Sequence, residues 1–233
     1  MTGRIAAGAL ASPNIWEHPH VYEVENRAVD PDGVIESAMR SIRRFTDATV
    51  LDLGCGTGYH LPLLAAEAAS VIGVEPHGDL VTWARVRTRK LPNVRVLHGS
   101  AHRIPLPSSS IDVTQARWAY FFGPGCEPGL QELDRVIRHG GVAFIVDNDA
   151  TRSTFGRWFT AALRSYDPGA VDEFFARRGW SVLRREMRWK FETRADLEAV
   201  VRIEFAPASA GWILREHQGL EVDYAVNIRF RHY

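Results

Sequence analysis

The sequence predicts an α/β fold: a doubly wound, seven-stranded, mostly parallel sheet with an antiparallel strand at its C-terminal end and a helical segment ahead of it. Three observations predict it. Strand-like and helix-like segments alternate through the centre of the chain, as they do where helices cover both faces of a parallel sheet. The run "TVLDLGCGTG", Thr49 to Gly58, breaks from strand formers into alternating glycines. An acid, Glu75, closes the next strand about twenty residues past that break, a spacing typical of ribose-binding sheets.

Each element follows in order. Thr49, Val50, Leu51 and Leu53 favour a buried first strand. Thr57 to Ala69, with Leu61, Leu63, Leu64 and Ala68, predicts a helix starting at once behind the glycines. "SVIGVEP" is the second strand, "HGDLVTWARVRTRK" a helix, and "VRVLHGS" the third strand. "IDVTQARWAYFF" is the fourth, entered through the turn "IPLPSSS". In "PGLQELDRVIRHGG" the apolar residues Leu130, Leu133, Val136 and Ile137 make a helical stripe ended by Gly140. "GVAFIVDND" is the fifth strand. "RSTFGRWFTAALRSY" and "GAVDEFFARRG" predict two helices joined at Asp167-Pro168-Gly169. "WSVLRREMRWKF" is the sixth strand, and "TRADLEAVVRIEF" a helix capped by Thr193 and running to Pro207. "YAVNIRFRHY" is the seventh, with Ala225, Asn227, Arg229 and Arg231 alternating against Val226, Ile228 and Phe230. Two units result: an N-terminal helical or lid segment, 1–46, and a ligand-binding domain, 47–233, with 151–178 as a helical insertion after strand five. The chain carries no repeats and no low-complexity tract.

Composition narrows the partners. The chain has 233 residues, enough to bury a core without staples. Lys+Arg and Asp+Glu both number 28, so the formal net charge is zero. Nor do the halves differ enough to favour a nucleic-acid duplex or an anionic membrane. Cys55 and Cys126 make neither a disulfide framework nor a metal site, and Cys55 is a small residue where the glycine loop needs one. "MTGRIAAGALA" mimics a secretory leader, but its apolar run is short and weakly hydrophobic. No stretch approaches a membrane span. The expectation is a cytoplasmic protein, with the oligomeric state left open.

Strand, glycine turn and helix start form a ligand cradle at the carboxyl end of the sheet. A dinucleotide would want G-x-G-x-x-G. Here the glycines are Gly54, Gly56 and Gly58, and Tyr59 stands where the third should be. Asp52, two residues before the first glycine, disfavours an anionic pyrophosphate and suits a ligand with a cationic part.

Four segments in this order, "VLDLGCGTG", "VIGVEP", "LHGSAHRIPLPSSSIDVTQA" and "LQELDRVIRHGGVAFIVD", resemble the Rossmann-like class I S-adenosylmethionine-dependent methyltransferases, closest to the UbiE-like small-molecule group. The resemblance covers roughly residues 47–149. It implies that Gly54, Cys55, Gly56, Thr57 and Gly58 wrap the methionine moiety and that Asp52 holds its ammonium. It implies that Glu75 takes the ribose hydroxyls, that Pro76 and Leu80 pack on the adenine, and that Ser100 and Ala101 face its edge. Serine replaces the aspartate usual at position 100. Arg117 and Trp118 stand where the family has small or apolar residues, which would narrow the pocket. Tyr22 and Asn26 lie in the leading segment that in relatives folds over the cofactor.

The implied cofactor is S-adenosylmethionine, with S-adenosylhomocysteine as product, and the implied acceptor is a small apolar or aromatic molecule. Trp118 and Phe155 are the expected acceptor wall. The pocket is expected between residues 14–26, 117–122 and 147–160. No catalytic constellation is required, since the leaving group is activated by its own charge. His102 could act as a base but is better read as a loop residue bonded to solvent, and Asp147 to Asp149 could orient an acceptor or equally form a turn or cap. The alternatives are an RNA or protein methyltransferase, from the basic runs Arg85–Lys90 and Arg177–Lys190, and a non-catalytic cofactor-binding module.

Overall fold

The computed structural model describes residues 4–233; Met1 to Gly3 of the leader-like run lie outside the described residues. Seven strands form one sheet in the order β3-β2-β1-β4-β5-β7-β6. They are β1 (Thr49–Leu53), β2 (Ser70–Glu75), β3 (Val94–His98), β4 (Ile111–Arg117), β5 (Ile137–Asn148), β6 (Ser181–Lys190) and β7 (Glu221–His232). β1 to β5 pair in parallel, and β7 runs antiparallel between β5 and β6. The reversal of strand order falls between β1 and β4, which places the ligand crevice at their carboxyl ends.

Side chains alternate across the sheet, so each central strand feeds two cores. Val50, Val71, Val113 and Phe144 belong to one; Leu51, Ile72, Ala116 and Ile145 belong to the other. On the first face lie α3 (Val34–Ile42), α4 (Leu61–Ala65), α5 (Gly78–Thr88), α7 (Ser153–Ala162), α9 (Arg194–Glu204) and α10 (Pro207–Glu216). On the second lie α6 (Glu127–Val136) and α8 (Pro168–Ala176). Two N-terminal helices, α1 (Pro13–Glu17) and α2 (Pro19–Ala28), pack on α9.

Several predicted boundaries move. Residues 57–60 are turn, and α4 is five residues long, because Gly56 and Gly58 hold positive φ and delay the helix. Strand four ends at Arg117: Trp118 and Tyr120 adopt φ of 46° and 60° and turn the chain out of the sheet. Ile137 to Gly140, expected as the tail of a helix, opens β5, where Ile137 pairs with Ile111. Pro207, expected as a stop, is the first residue of α10, where its missing N–H costs nothing.

Arg229 is buried, 2% exposed, so the polar face of β7 is interior. Its guanidinium lies 3.3 Å from Asp147 on β5 and 2.8 Å from Asp172 on α8, over the ring of Phe175 at 4.8 Å.

Candidate functional site

The glycine loop is tied to β2 before it meets any ligand. The Gly54 and Cys55 amides donate to the Val74 carbonyl at 2.8 and 3.1 Å. Gly56, at φ 55°, donates its N–H to Glu75 Oε2 at 2.9 Å, and the His77 N–H reaches Oε1 at 2.9 Å. Both oxygens of the acid therefore face backbone donors at the loop. A Cβ on Gly56 would lie 2.7 Å from Ile15 Cδ1 and displace that side chain, and the positive φ itself favours glycine. The Cys55 thiol packs on Gly73, where a Cβ would come within 2.8 Å of it; this is the packing role expected of a small residue.

Gly58 serves differently. At φ 76° its missing Cβ lets α5 approach, since one would lie 2.9 Å from Ala84 Cβ. Gly58→Ala is expected to cost roughly 1–3 kcal/mol of stability and to leave ligand affinity of the folded protein unchanged. Paired thermal melts and calorimetric titrations check this; a weakened ligand at unchanged melting temperature would contradict it.

Beneath the loop runs a chain of polar groups. Gln115, the register partner of Asp52 across β1 and β4, donates its amide to Asp52 Oδ1 at 3.0 Å. Arg117 donates to Gln115 Oε1 through Nε at 3.3 Å and Nη2 at 3.1 Å. The same guanidinium lies 2.8 Å from Glu36 on α3, and His60 Nδ1 lies 3.9 Å from that carboxylate. Burial pushes the Asp52 carboxyl up, against Gln115 and Arg117. Burial pushes Glu75 up to about 7, against the His77 and Gly56 amides. Burial also works against the charge of Glu36, but Arg117 and His60 bring it down to about 2. His60 is held neutral, near 3, by burial and by Arg117.

Eleven of the thirteen residues predicted to bind a cofactor line one cavity; Gly58 and Leu80 do not. Leu80 is buried away from it. Ser100 is present, but its hydroxyl donates to the Ala7 carbonyl at 2.7 Å. Tyr22 is one of the eleven, and Asn26 and Trp118 also line the cavity. The expected third wall, 147–160, is absent; residues 9–12 take its place beside Ile15 and Trp16 of the expected 14–26 wall. Phe155 is a core residue, 2% exposed and stacked on Tyr224 with ring centroids 4.1 Å apart, so it makes no acceptor wall. His102 lies outside the cavity, edge-on to Tyr120 at 6.4 Å. Asp147 pairs with Arg229, and Asp149 with Arg152 at 3.2 Å, so neither carboxylate lines the cavity. Asn148 acts through another residue: its Oδ1 accepts from the Trp118 indole N–H at 2.6 Å and from the Tyr224 hydroxyl.

Sequence reasoning missed Gln115, Glu36 and His60. Gln115 had a signal, a polar side chain within a strand of apolar residues beside Asp52. Glu36 and His60 had none, because their meeting with Arg117 depends on the tertiary fold.

The second basic run is largely neutralised, and the first in part. Arg87 pairs with Glu23, Arg178 lies 3.3 Å from Glu127, and Arg188 lies 3.2 Å from Asp32. Trp180 and Trp189, the aromatics of the second run, are 6% and 1% exposed and offer no stacking face. Among the described residues no cluster of three His, Cys, Asp or Glu is arranged to hold a metal ion, and no helix is long and apolar enough to cross a membrane.

Comparison with known proteins places this geometry. Residues 51–145 match the family model described as a methyltransferase domain. A probable S-adenosylmethionine-dependent methyltransferase of Mycolicibacterium smegmatis is 32% identical over 155 residues, covering 62% of this chain and 50% of the relative. A demethylmenaquinone methyltransferase of Bacillus licheniformis is 28% identical over 97 residues, covering 40% of this chain and 42% of that one. The chain thus spans about half the length of these curated relatives. Among solved structures, the YcgJ protein of Bacillus subtilis superposes with a TM-score of 0.61 at 16% identity, over 84% of this chain and 96% of that one, a likeness of fold.

Proposed function

Residues 51–145 of this chain are a methyltransferase domain of the class I, S-adenosylmethionine-dependent kind, and on that premise we propose that the protein transfers a methyl group from this cofactor to a small organic acceptor. One observation carries the reading: the bare backbone at Gly56, the Asp52 carboxylate and the Glu75 carboxylate converge on a single cavity. These groups fit the cofactor. Asp52 is buried with one neutral amide partner, which suits it to a cationic ammonium. Glu75 presents two oxygens, already oriented by backbone donors, to a pair of ribose hydroxyls. Pro76 and Ala101 supply apolar surface for the base.

When bound, the cofactor supplies a methyl carbon on a sulfonium, open to in-line displacement by an acceptor atom. The protein's part is alignment and exclusion of water, and orientation of this kind is worth roughly 7–11 kcal/mol. Ile15 and Trp16 cover the glycine loop, while the polar chain from Asp52 to Glu36 fixes the floor. As closed by residues 9–16, the cavity holds ≈120 Å³. Ligand pockets are typically about 300–1,000 Å³, so this segment lifts to admit the cofactor. Such lifting would break the Asn14 amide's bond to Glu204 at 2.6 Å and part Trp16 from the His77 ring, 5.2 Å away, while the Ala6 N–H to Pro76 carbonyl bond at 2.9 Å lies just ahead of the segment.

The acceptor enters through a second cavity of ≈770 Å³, which meets the first along Asn26, Tyr59, His60, Arg117 and Trp118. Isothermal titration with S-adenosylmethionine and S-adenosylhomocysteine tests the cofactor site: saturable binding is expected, and none would overturn the reading. Turnover on a panel of acceptors then separates an enzyme from a binding module. Trp118→Ala should raise acceptor KM by about tenfold or more while cofactor affinity holds, since the ring forms the boundary between the cavities. Loss of cofactor binding in that variant would contradict the assignment.

A further inference from the structure

We infer that the second cavity is built for an acceptor carrying a carboxylate, anchored by Arg27 at the mouth with its apolar body lying against Trp118. This rests on the methyltransferase reading and adds the chemical class of the acceptor.

Three guanidiniums and two carboxylates line the cavity: Arg27, Arg40 and Arg117 against Asp30 and Glu36. Both acids are already engaged. The Asp30 oxygens accept from the Val34 and Ile35 amides at 2.7 and 2.8 Å, capping α3. Glu36 faces Arg117 at 2.8 Å. Glu36 is thereby matched by a cation, and the Asp30 oxygens are turned to the backbone of α3. Arg40 is also engaged, since its Nε donates to Glu67 at 2.8 Å.

Of the three guanidiniums, Arg27 alone makes no ion pair among the described residues, and it is exposed at the end of α2. Its charge reaches the Tyr59 phenol, where it opposes the upward push of burial; Tyr59 lines both cavities. Next to it, Asn26 also lines both cavities and has no side-chain partner among the described residues. A planar guanidinium matches a carboxylate, which takes two parallel hydrogen bonds from it; a phosphate dianion would call for a second unengaged cation. Beyond this polar mouth, Val29, Ile35 and Leu63 with Trp118 give an apolar wall leading to the cofactor cavity. An amphiphilic acid fits this order of groups: charge outward, apolar body inward and reacting atom at the junction.

Matched probe pairs test it: 4-hydroxybenzoate, indole-3-acetate and octanoate, each against its primary amide. They are titrated into full-length protein loaded with S-adenosylhomocysteine and followed by NMR at the Trp118 indole N–H. At least one acid is expected to bind about tenfold or more tightly than its amide and to shift that signal, and Arg27→Gln should erase the preference. Arg27 is exposed, so the variant should fold, and its affinity for S-adenosylhomocysteine provides the control. Equal binding of acids and amides, no binding of either, or a preference that survives Arg27→Gln overturns the inference and leaves the methyltransferase reading standing. Failure to bind S-adenosylhomocysteine overturns that reading instead.

Discussion

Glu75→Gln protein is expected to bind S-adenosylhomocysteine roughly 10- to 150-fold more weakly than wild type, the loss of about 1.5–3 kcal/mol that follows removal of a charged hydrogen-bond acceptor. The pH dependence distinguishes this from a general packing defect. Burial pushes the Glu75 carboxyl up to about 7, and the Asp52 charge adds to it, while the His77 and Gly56 amides oppose them. In the free protein the group is therefore increasingly protonated as pH falls below 7. The ionised form is the stronger acceptor for ribose hydroxyls, so affinity should rise between pH 6 and 8 with release of a proton. Glutamine at this position should flatten that rise. Titration calorimetry in buffers of different ionisation enthalpy reads both effects, and a pH-independent wild-type affinity would refute the role given to Glu75.

The same group links stability to pH. Its folded pKa, about 7, lies above the ordinary carboxylate value of 4.5, so the folded protein holds the proton more tightly than the unfolded chain. The resulting stabilisation is complete below about pH 4.5 and is lost as pH rises through 7, a change of about 3 kcal/mol. Glu75→Gln removes that slope, though it starts lower at pH 5, where one acceptor oxygen serves two backbone N–H groups. Denaturant midpoints at pH 5, 6, 7 and 8 measure it. A site that prefers its ligand at the expense of its own stability is consistent with a binding role.

How much of this was legible in the sequence follows from what each signal needs. The central strands are buried on both faces, so Val50 to Leu53 and Val71 to Val74 show as apolar runs without reference to anything distant. The glycine break and Glu75 are local for the same reason: the loop and the acid belong to adjacent strands, and their spacing fixes their meeting. Boundaries failed where two local rules competed. Leu130, Leu133, Val136 and Ile137 satisfy the helical period, but Ile137 satisfies a strand equally well, and pairing with Ile111 decides it. Trp118 lines the cavity, as its place just past the end of a strand at the crevice suggests. Phe155 was misplaced because its partners, Tyr224 and Trp189, lie some seventy and thirty-four residues along the chain. The segment 1–46 was expected as a lid and residues 14–26 as a wall, but the part taken by residues 9–12 was not, since the nearby ties to Pro76 and Ser100 run through the backbone of Ala6 and Ala7, which no side chain announces.

The acids at the end of β5 tell against a simple transfer of roles from position to role, and Arg229 tests the alternative. Asp147 and Asp149 stand where acceptor-orienting groups were expected, yet Asp147 joins β5 through Arg229 to Asp172 on α8. This pair fastens the helical insertion to the sheet. Arg229→Met should leave Asp147, 5% exposed, without its cation, and breaking a buried pair from one side typically costs about 3–5 kcal/mol. For a chain of this size that is a fall in melting temperature of roughly 6–20 °C. Adding Asp147→Leu should restore most of it, because two apolar groups remove the uncompensated charge; Asp172 remains partly exposed and within reach of Arg184. Affinity for S-adenosylhomocysteine should be unchanged in the folded fraction of both variants, since neither residue lines either cavity. A single variant that melts like wild type, or a double variant no better than the single, would show that the pair does not fasten the insertion. If the ligand weakened with either change, the end of β5 would belong to the site after all.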